Sequence, residues 1–381
     1  MAIFLLYFFP FAIDIVVSLL LFVGRHSLAM TGASESEVGS IPLLFGVGYF
    51  LAGPLMRAII NRRLAKIEML TAIGLLAAFS ALLANTNQLL TIQILFFLVP
   101  MAASLFFNAF QAYMLGIATD NAKPLGVTVS LYTFAWSLGF ALGPFICGLL
   151  GDRISWSQMY YLAGVSSFLI AILVLFFRPR RNAQQAEAGE QVAVRQKGPI
   201  LHVPGWMGVV IGLTGWMIIA TYWPVIAVSK GFSPAVKGTV EFAFAASQSV
   251  GALVLILIRD WQHRPLFLPL FGVLGVAALL VFASADTPAL YVLGAAVMGL
   301  FMATNFIFSV YHCMLDVEMA SRRVAINEMM VGLGYSAGPV VAALLHQNGM
   351  PFGPSFLKAA LLVGILVALR TGVAHWIGKR N

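Results

Sequence analysis

Long apolar segments dominate this sequence and set what the chain can fold into. A helix needs about 20 consecutive apolar residues to cross the hydrocarbon core of a bilayer. Charged and turn-forming residues divide the chain into twelve such segments, at residues 2–24, 39–60, 67–86, 89–117, 124–151, 157–177, 205–229, 236–258, 265–285, 288–314, 323–347 and 353–377. Only 9% of the residues are charged, whereas a soluble domain carries about 25%. The sequence therefore predicts an all-α membrane protein with twelve transmembrane helices.

The longest polar stretch runs from residue 178 to residue 203 and separates six predicted spans from six. It predicts an N-terminal six-helix bundle at 1–177, a cytoplasmic linker at 178–203 and a C-terminal six-helix bundle at 204–381. The first apolar segment contains Asp14 and lacks both a basic start and a small-residue cleavage site. We therefore expect it to be a retained membrane helix and not a signal peptide.

The basic residues lie mainly on one side of the predicted membrane. If both termini are cytoplasmic, the outer side holds only five of the 22 basic residues, namely Arg25, Arg153, Lys230, Lys237 and Lys358. This asymmetry follows the positive-inside rule and predicts a multi-pass protein of the bacterial inner (cytoplasmic) membrane with both termini inside. The remaining basic residues form short clusters between apolar segments, so the net charge of +8 indicates anionic lipid as the partner and not nucleic acid.

The sequence offers no catalytic, cofactor or metal site. The two cysteines, Cys147 and Cys313, both fall inside apolar segments, and no phosphate-binding loop, dinucleotide fingerprint or zinc-protease motif is present. Residues 334–338 match the Gly-x-Ser-x-Gly nucleophile pattern. That pattern needs a strand–turn–helix elbow, and here it falls within a predicted membrane span. A polytopic membrane enzyme therefore remains only a remote alternative.

A short motif recurs in the fifth span of each half, 195 residues apart. The two copies consist of Gly139, Gly143 and Pro144, and of Gly334, Gly338 and Pro339. The repeat predicts two homologous halves related by an axis along the membrane normal. Glycines four residues apart let another helix approach closely, and proline removes a backbone donor and bends the helix. We expect these residues to act as hinges or packing contacts.

The twelve spans, the basic central linker and this motif resemble the major facilitator superfamily. The set Gly139, Gly143, Pro144 and Gly148 is similar to the helix-5 signature of its drug/proton antiporters. The resemblance implies a monomeric secondary transporter that moves a small molecule by alternating access, with proton-coupled export as the expected mode.

Two features depart from that antiporter pattern. Gly53, Arg62 and Arg63 match the loop signature between helices 2 and 3, but Arg57 occupies the position of its aspartate. The fourth span contains no charged residue, whereas proton antiporters usually carry an arginine there. A facilitator or symporter for a small organic or amphiphilic solute therefore stays open, as do the substrate, the direction and the coupling ion.

Charged residues inside spans cost several kcal/mol unless they face a partner or a wet cavity. The candidates for proton coupling are the carboxylates Asp14, Glu241 and Glu328, together with His312 because histidine titrates near neutral pH. Simpler roles also fit the sequence: Asp14 as a structural hydrogen bond, Glu328 as an interfacial ion pair, and Glu241 as a solvated residue near the outer end of its span.

Polar stripes on several spans predict the substrate cavity. On the first span, Tyr7, Asp14, Ser18 and Arg25 project along one line. The other candidates are Ser104, Asn108 and Gln111 in span 4, Trp216 and Trp223 in span 7, Asn305 and Ser309 in span 10, and Tyr335 in span 11. In the family that this chain resembles, helices 1, 4, 7 and 10 line the cavity. The two tryptophans also fit as interfacial anchors.

Overall fold

A computed structural model describes residues 2–60, 63–114, 125–177, 199–258, 260–264, 266–346 and 350–380. Most of the predicted linker, at 178–198, lies outside this part of the chain. The described residues form twelve α-helices, a short 3₁₀ helix at Trp261–His263, and no strand. The helices are α1 Ala2–Met30, α2 Glu35–Ile59, α3 Ala65–Ala84, α4 Leu89–Met114, α5 Leu125–Leu150, α6 Trp156–Phe176, α7 His202–Ser229, α8 Pro234–Leu257, α9 Phe267–Ser284, α10 Pro288–Met314, α11 Val317–Leu345 and α12 Phe352–Arg380.

Each of these twelve helices is long and apolar enough to cross a membrane, which confirms the predicted fold class. The largest differences from the predicted spans are at the end of α1, which continues past residue 24 to Met30, and at the start of α11, which begins at Val317 and not at 323. At α1 the prediction stopped before Arg25, the first basic residue, because charges usually lie outside the hydrocarbon core. The structure instead keeps Arg25 and His26 inside the helix, where Glu241 of α8 compensates the charge of Arg25 and contacts the His26 ring.

Short polar caps define where several helices begin. At the start of α2, the Ser34 hydroxyl accepts a hydrogen bond from the Glu37 amide at 3.3 Å, and the Glu37 carboxylate accepts one from the Ser34 amide at 2.7 Å. Ser155 and Gln158 form the same reciprocal arrangement at α6. These side chains satisfy amides that have no partner within the first helical turn, so the chain can turn back into the membrane after short loops.

The helix contacts repeat between the two halves. In the first half α5 packs on α1, and α3 packs on α4 and α6; in the second half α11 packs on α7, and α9 packs on α10 and α12. The repeated glycines occupy the first of these contacts. A Cβ at Gly139 would overlap the carbonyl of Phe11 in α1, and a Cβ at Gly334 would stand 2.6 Å from Leu213 Cβ in α7.

The motif residues therefore make close helix contacts within each half. Gly143 faces Ser18 of α1, and Gly338 faces Met217 of α7. Pro144 and Pro339 lie inside α5 and α11, which continue through them. A hinge role for these residues remains a prediction.

Two helix pairs carry most of the contact between the halves: α5 with α8, and α2 with α11. Both contacts depend on glycine. A Cβ at Gly238 would overlap the carbonyl oxygen of Pro144, and a Cβ at Gly46 would stand 2.7 Å from the carbonyl oxygen of Gly332. Because these backbones nearly touch, small shifts of one half against the other change the contact directly.

Candidate functional site

A central cavity lies between the two halves. Residues from α1, α2, α4 and α5 of the first half and from α7, α8, α10 and α11 of the second half line it. It encloses about 750 Å³, including the part that opens to solvent. Among the described residues, nine of the lining side chains are aromatic: Phe45, Tyr49, Phe107, Tyr132, Trp136, Phe140, Phe244, Phe306 and Tyr335.

Two carboxylates face this cavity from opposite halves. Asp14 of α1 is 6% exposed and Glu328 of α11 is 8% exposed, and both belong to the lining. Tyr49 of α2 donates a hydrogen bond from its hydroxyl to Glu328 Oε2 at 2.7 Å. Within the described part of the chain, no hydrogen bond reaches the Asp14 carboxylate. The cavity thus holds one carboxylate with a neutral partner and one with none.

Tyr335, predicted as a cavity residue, also lines the cavity, where its ring lies 5.3 Å from that of Phe45 across the two halves. The structure therefore brings together Asp14 and Glu328 from the proton-coupling candidates and Tyr335 from the cavity candidates. It adds Gln248 of α8, which is 2% exposed and whose side-chain nitrogen has no hydrogen-bond partner among the described residues.

A second charged cluster lies toward the end of the bundle at which α1 ends and α2 begins. Arg25 Nη2 donates to Glu241 Oε2 at 2.6 Å, and His26 Nε2 lies 3.1 Å from Glu241 Oε1. Arg25 also donates to the carbonyl oxygen of Ala220 in α7 at 3.0 Å. All of these contacts join the two halves. We call Arg25, His26 and Glu241 the Arg25 cluster.

Glu241 is 3% exposed, so its interpretation as a solvated residue is wrong. The physical reason is that α1 extends far enough to place Arg25 and His26 beside it. At the same end, His346, which directly follows α11, lies 3.4 Å from Glu35 of α2. The Lys237 ammonium lies 3.3 Å from the sulfur of Met30. The contacts at this end thus link α1, α2, α7, α8 and the end of α11 across the halves.

The other residues of the predicted α1 stripe do not line the cavity. The Ser18 hydroxyl donates to its own helix at Ile15 O, 3.2 Å away, and lies against Gly143 of α5. Arg25 belongs to the cluster described above, and Tyr7 is half-buried outside the lining. Only Asp14 of this stripe faces the cavity.

The polar stripes of α4 and α10 are rotated away from the cavity. Asn108 donates to Ser104 O at 2.8 Å, whereas Ala103 and Phe107 of α4 form the lining. In α10, Met302 and Phe306 line the cavity in place of the predicted stripe. The side chain of Gln111 lies outside the described part of the chain. The polar groups gain partners inside each half, and the aromatic groups are left facing the cavity.

The α10 stripe supports the interior of the second half. The Ser309 hydroxyl donates to Asn327 Oδ1 at 2.6 Å. His312 accepts a hydrogen bond from the Leu201 amide at Nδ1 and lies 3.2 Å from the carbonyl oxygen of Gln262 at Nε2. This pattern places the ring proton on Nε2 of a neutral imidazole. In this structure His312 is fully buried and joins α10 to the segments at 201 and 262.

Asn305 accepts a hydrogen bond from Arg370 of α12. Arg370 is 2% exposed, also donates to Pro204 O at 2.8 Å, and lies over the ring of Phe308. Sequence reasoning placed Arg370 on the cytoplasmic side with the other basic residues. The structure places it inside the helix packing of the second half, because Pro204 and Asn305 supply oxygen acceptors for its guanidinium there.

The two predicted tryptophans pack inside the second half. Trp216 stacks on Phe244 with ring centroids 3.7 Å apart, and Trp223 donates to the carbonyl oxygen of Lys237 at 3.2 Å. Neither lines the cavity.

Sequence reasoning missed the functional candidates Tyr49, Trp136 and Gln248. Tyr49 and Trp136 lie near the middle of their helices, although such residues favour the membrane interface. Their position in the middle of a predicted span could have identified Tyr49 and Trp136 from the sequence. No group of three or more His, Cys, Asp or Glu that could hold a metal ion occurs in the described ranges.

Comparisons with known proteins agree with this architecture. The sequence model of the Major Facilitator Superfamily matches residues 1–339. The crystal structure of nucleoside transporter NupG superposes with a TM-score of 0.67 at 13% identity, covering 98% of both chains. A second structure, of a NupG mutant, gives 0.68 at 14% identity, covering 99% of this chain and 100% of that one.

A protein described as an MFS-type transporter from Pestalotiopsis microspora is 26% identical over 147 residues. That match covers 37% of this chain and 26% of the relative. The chain therefore spans about a quarter of the length of this curated relative.

Proposed function

Because the chain belongs to the major facilitator superfamily, we propose that it is a proton-coupled secondary transporter that moves a small organic solute by alternating access. Its family and fold are those of a transporter and not of an enzyme. In this proposal Asp14 and Glu328 bind the coupling protons, and the central cavity binds the solute.

The observation that carries the proposal is the meeting of Asp14 and Glu328, from different halves, in one cavity. Two ionised carboxylates in a poorly hydrated space repel each other strongly. A proton or a cation between them removes this repulsion and favours the approach of the two halves. Binding of a proton or a cation in the cavity would thereby change the relative stability of the inward-open and outward-open arrangements, and coupling requires such a change.

The Arg25 cluster supports closure at one end of the bundle. We propose that both termini are cytoplasmic in a bacterial inner membrane, so that this closed end faces outward. The excess of basic residues on the opposite side supports this orientation. A cysteine placed at the exposed Asp286, in the loop between α9 and α10, should then react with an impermeant reagent in intact cells. Reaction only after permeabilisation would contradict the orientation.

We propose export as the direction, supported by the antiporter-type glycine motif of α5. An outside proton would displace the solute from the carboxylates when the cavity opens outward. The two halves meet mainly at two glycine-containing contacts, α5 with α8 and α2 with α11. These contacts support a mechanism in which one half rocks against the other.

The test begins with a thermal-shift screen of sugars, amino acids, organic acids, nucleosides and amphiphilic drugs, because a bound ligand stabilises the folded state by mass action. A hit is then assayed in proteoliposomes under an imposed pH gradient. Asp14→Asn should abolish the gradient-driven accumulation, because asparagine cannot release a proton. Asp286→Asn, which changes an exposed carboxylate in a loop, should retain it. Wild-type accumulation by Asp14→Asn would remove Asp14 from the coupling mechanism.

The second candidate function is a facilitator or symporter for a small organic or amphiphilic solute. It is favoured by the uncharged fourth helix and by Arg57 at the aspartate position of the loop signature. Dissipation of the pH gradient identifies a facilitator, since a facilitator would continue to equilibrate its solute at the same rate. Reversal of the imposed gradient separates a proton symporter from an antiporter, because the two accumulate solute on opposite sides.

A further inference from the structure

Lys237 of α8 is buried beside the Arg25 cluster without a strong partner. It is 4% exposed, and its ammonium lies 3.3 Å from the sulfur of Met30 at the end of α1. Within the described part of the chain, this sulfur is its only hydrogen-bond partner, and no carboxylate pairs with it. A thioether is a weak acceptor. The structure therefore leaves a buried cation with a contact that stabilises it poorly.

The same lysine lies four residues before Glu241 in one continuous helix. Residues four apart on a helix face the same side and can form an ion pair, although lysine before glutamate is the weaker of the two orders. Arg25 reaches Glu241 at 2.6 Å and is also anchored to Ala220 O. Arg25 therefore holds the carboxylate while this end is closed, and the flexible Lys237 side chain turns to Met30.

Opening of this end would remove both contacts in one step. Arg25 and Met30 are on α1 of the first half, whereas Lys237 and Glu241 are on α8 of the second half. Trp223 of α7 donates to the carbonyl oxygen of Lys237 at 3.2 Å, which holds this part of α8 to the second half. When α1 moves away, Glu241 loses Arg25 and Lys237 loses Met30. An ammonium and a carboxylate then remain on one helix, each without its earlier partner.

From this arrangement we propose that Lys237 replaces Arg25 as the counter-charge of Glu241 when the outer end opens. Lys237 is then a positioning residue for transport, because it acts through Glu241 and does not touch the solute. The inference rests on the proposed alternating access and on the outward orientation of this end. A carboxylate left uncompensated after its pair breaks is strongly destabilising, so the replacement partner lowers the free energy of the open arrangement.

Asp152 is a second carboxylate near enough to interact electrostatically with Lys237. It lies in the loop after α5, so it belongs to the first half, and it is exposed. Exposed charges are screened by water and salt, and Asp152 moves away with the first half. Glu241 is the carboxylate that stays on the same helix as Lys237 throughout the opening.

The test uses the full-length protein with a cysteine reporter at Gln248, labelled from outside by an impermeant thiol reagent in intact cells. Lys237→Met removes the ammonium and keeps the length of the side chain. It should slow the labelling by about tenfold or more, because Glu241 is left uncompensated in the open arrangement. Lys237→Arg keeps the charge and should retain the rate of the reporter protein. The matched control Lys230→Met removes an exposed lysine at the same end and should retain it as well.

A double variant separates this role from a purely structural one. In a Glu241→Gln background no carboxylate needs a counter-charge, so Lys237→Met should slow the labelling much less than it does with Glu241 present. Slowing by the same factor in both backgrounds, or no slowing by Lys237→Met in the reporter protein, would overturn the inference. Lys237→Gln gives the same comparison if Lys237→Met fails to fold.

The labelling needs neither a solute nor a pH gradient, so its result is independent of proton coupling. Equal rates in all of the lysine variants would overturn the role of Lys237 and leave proton-coupled transport standing. The expected labelling pattern without any gradient-driven flux would have the opposite meaning.

Discussion

Three environments account for the buried charges at the scale of single residues. Glu241 pairs with the Arg25 guanidinium and also contacts the His26 imidazole. Arg370 has neutral partners, a carbonyl oxygen and an amide oxygen. Asp14 has no hydrogen-bond partner within the described ranges and faces a cavity. Since every buried charge must be compensated, the residue without a partner is the one available to a ligand or a proton.

Arg370 provides a test of this reading that is independent of transport. Its fixed planar fork reaches Pro204 O and Asn305 together, which a lysine ammonium cannot do. Arg370→Lys should lower the free energy of unfolding by about 1–3 kcal/mol, because buried polar groups lose their partner. Thermal unfolding in detergent measures this, with the exposed Arg153→Lys as the matched control.

A double variant sharpens the Arg370 test. Arg370→Leu leaves Asn305 Oδ1 without its donor, whereas Arg370→Leu combined with Asn305→Leu removes both side-chain partners and should be less destabilising than the single change. If Arg370→Lys and Arg153→Lys unfolded at the same temperature, the buried guanidinium of Arg370 would have no structural importance.

At the scale of helices, glycine decides which surfaces can meet. The motif glycines of α5 and α11 face α1 and α7 within each half, while Gly148, Gly238, Gly46 and Gly332 let the halves approach each other. The polar stripes of α4 and α10 turn into the same interiors. Helix faces are thus assigned by packing, which periodicity along one helix cannot reveal.

A glycine-to-alanine change should have opposite effects on the free energy of unfolding inside and outside the α5–α8 contact. Gly238→Ala should lower the free energy of unfolding by about 1–3 kcal/mol, because the methyl group overlaps Pro144 O in a packed contact. Gly74→Ala in α3 should raise it by up to about 1 kcal/mol, since nothing lies within 4 Å of its Cβ and alanine is the better helix former. Unfolding midpoints compare them, and a shared sign would refute the close approach.

At the scale of the whole molecule, the two halves are held together at one end by charge. The Arg25 cluster is buried, whereas the Glu35 side chain of the Glu35–His346 pair is 38% exposed. Removing one partner of a buried pair leaves an uncompensated charge, but exposed pairs contribute little. Both sets of contacts join the same two halves. Because only the Arg25 cluster is buried, we expect it to hold the closed arrangement much more strongly than the Glu35–His346 pair does.

We expect Glu241→Gln to shift the molecule toward an outward-open arrangement. A Gln248→Cys reporter in the cavity should react with an impermeant thiol reagent from outside about tenfold faster or more, since breaking a buried pair costs several kcal/mol. Glu35→Gln should leave the reaction rate near that of the Gln248→Cys protein in which Glu35 and Glu241 are unchanged. The native Cys147 and Cys313 are buried and add little background. Equal rates in both variants would show that the Arg25 cluster does not hold this end closed.

The sequence by itself determined the number of membrane helices and their two-halved order, because hydrophobic length and charge asymmetry act along the chain. It also identified Asp14 and Glu328, since a carboxylate within an apolar span stands out in any arrangement. Only the tertiary structure decided that these two share a cavity, that Glu241 binds Arg25, and that Arg370 is buried. Those outcomes depend on which helix faces meet across the halves, and contacts between Glu241 and Arg25, 216 residues apart, leave no trace in local periodicity.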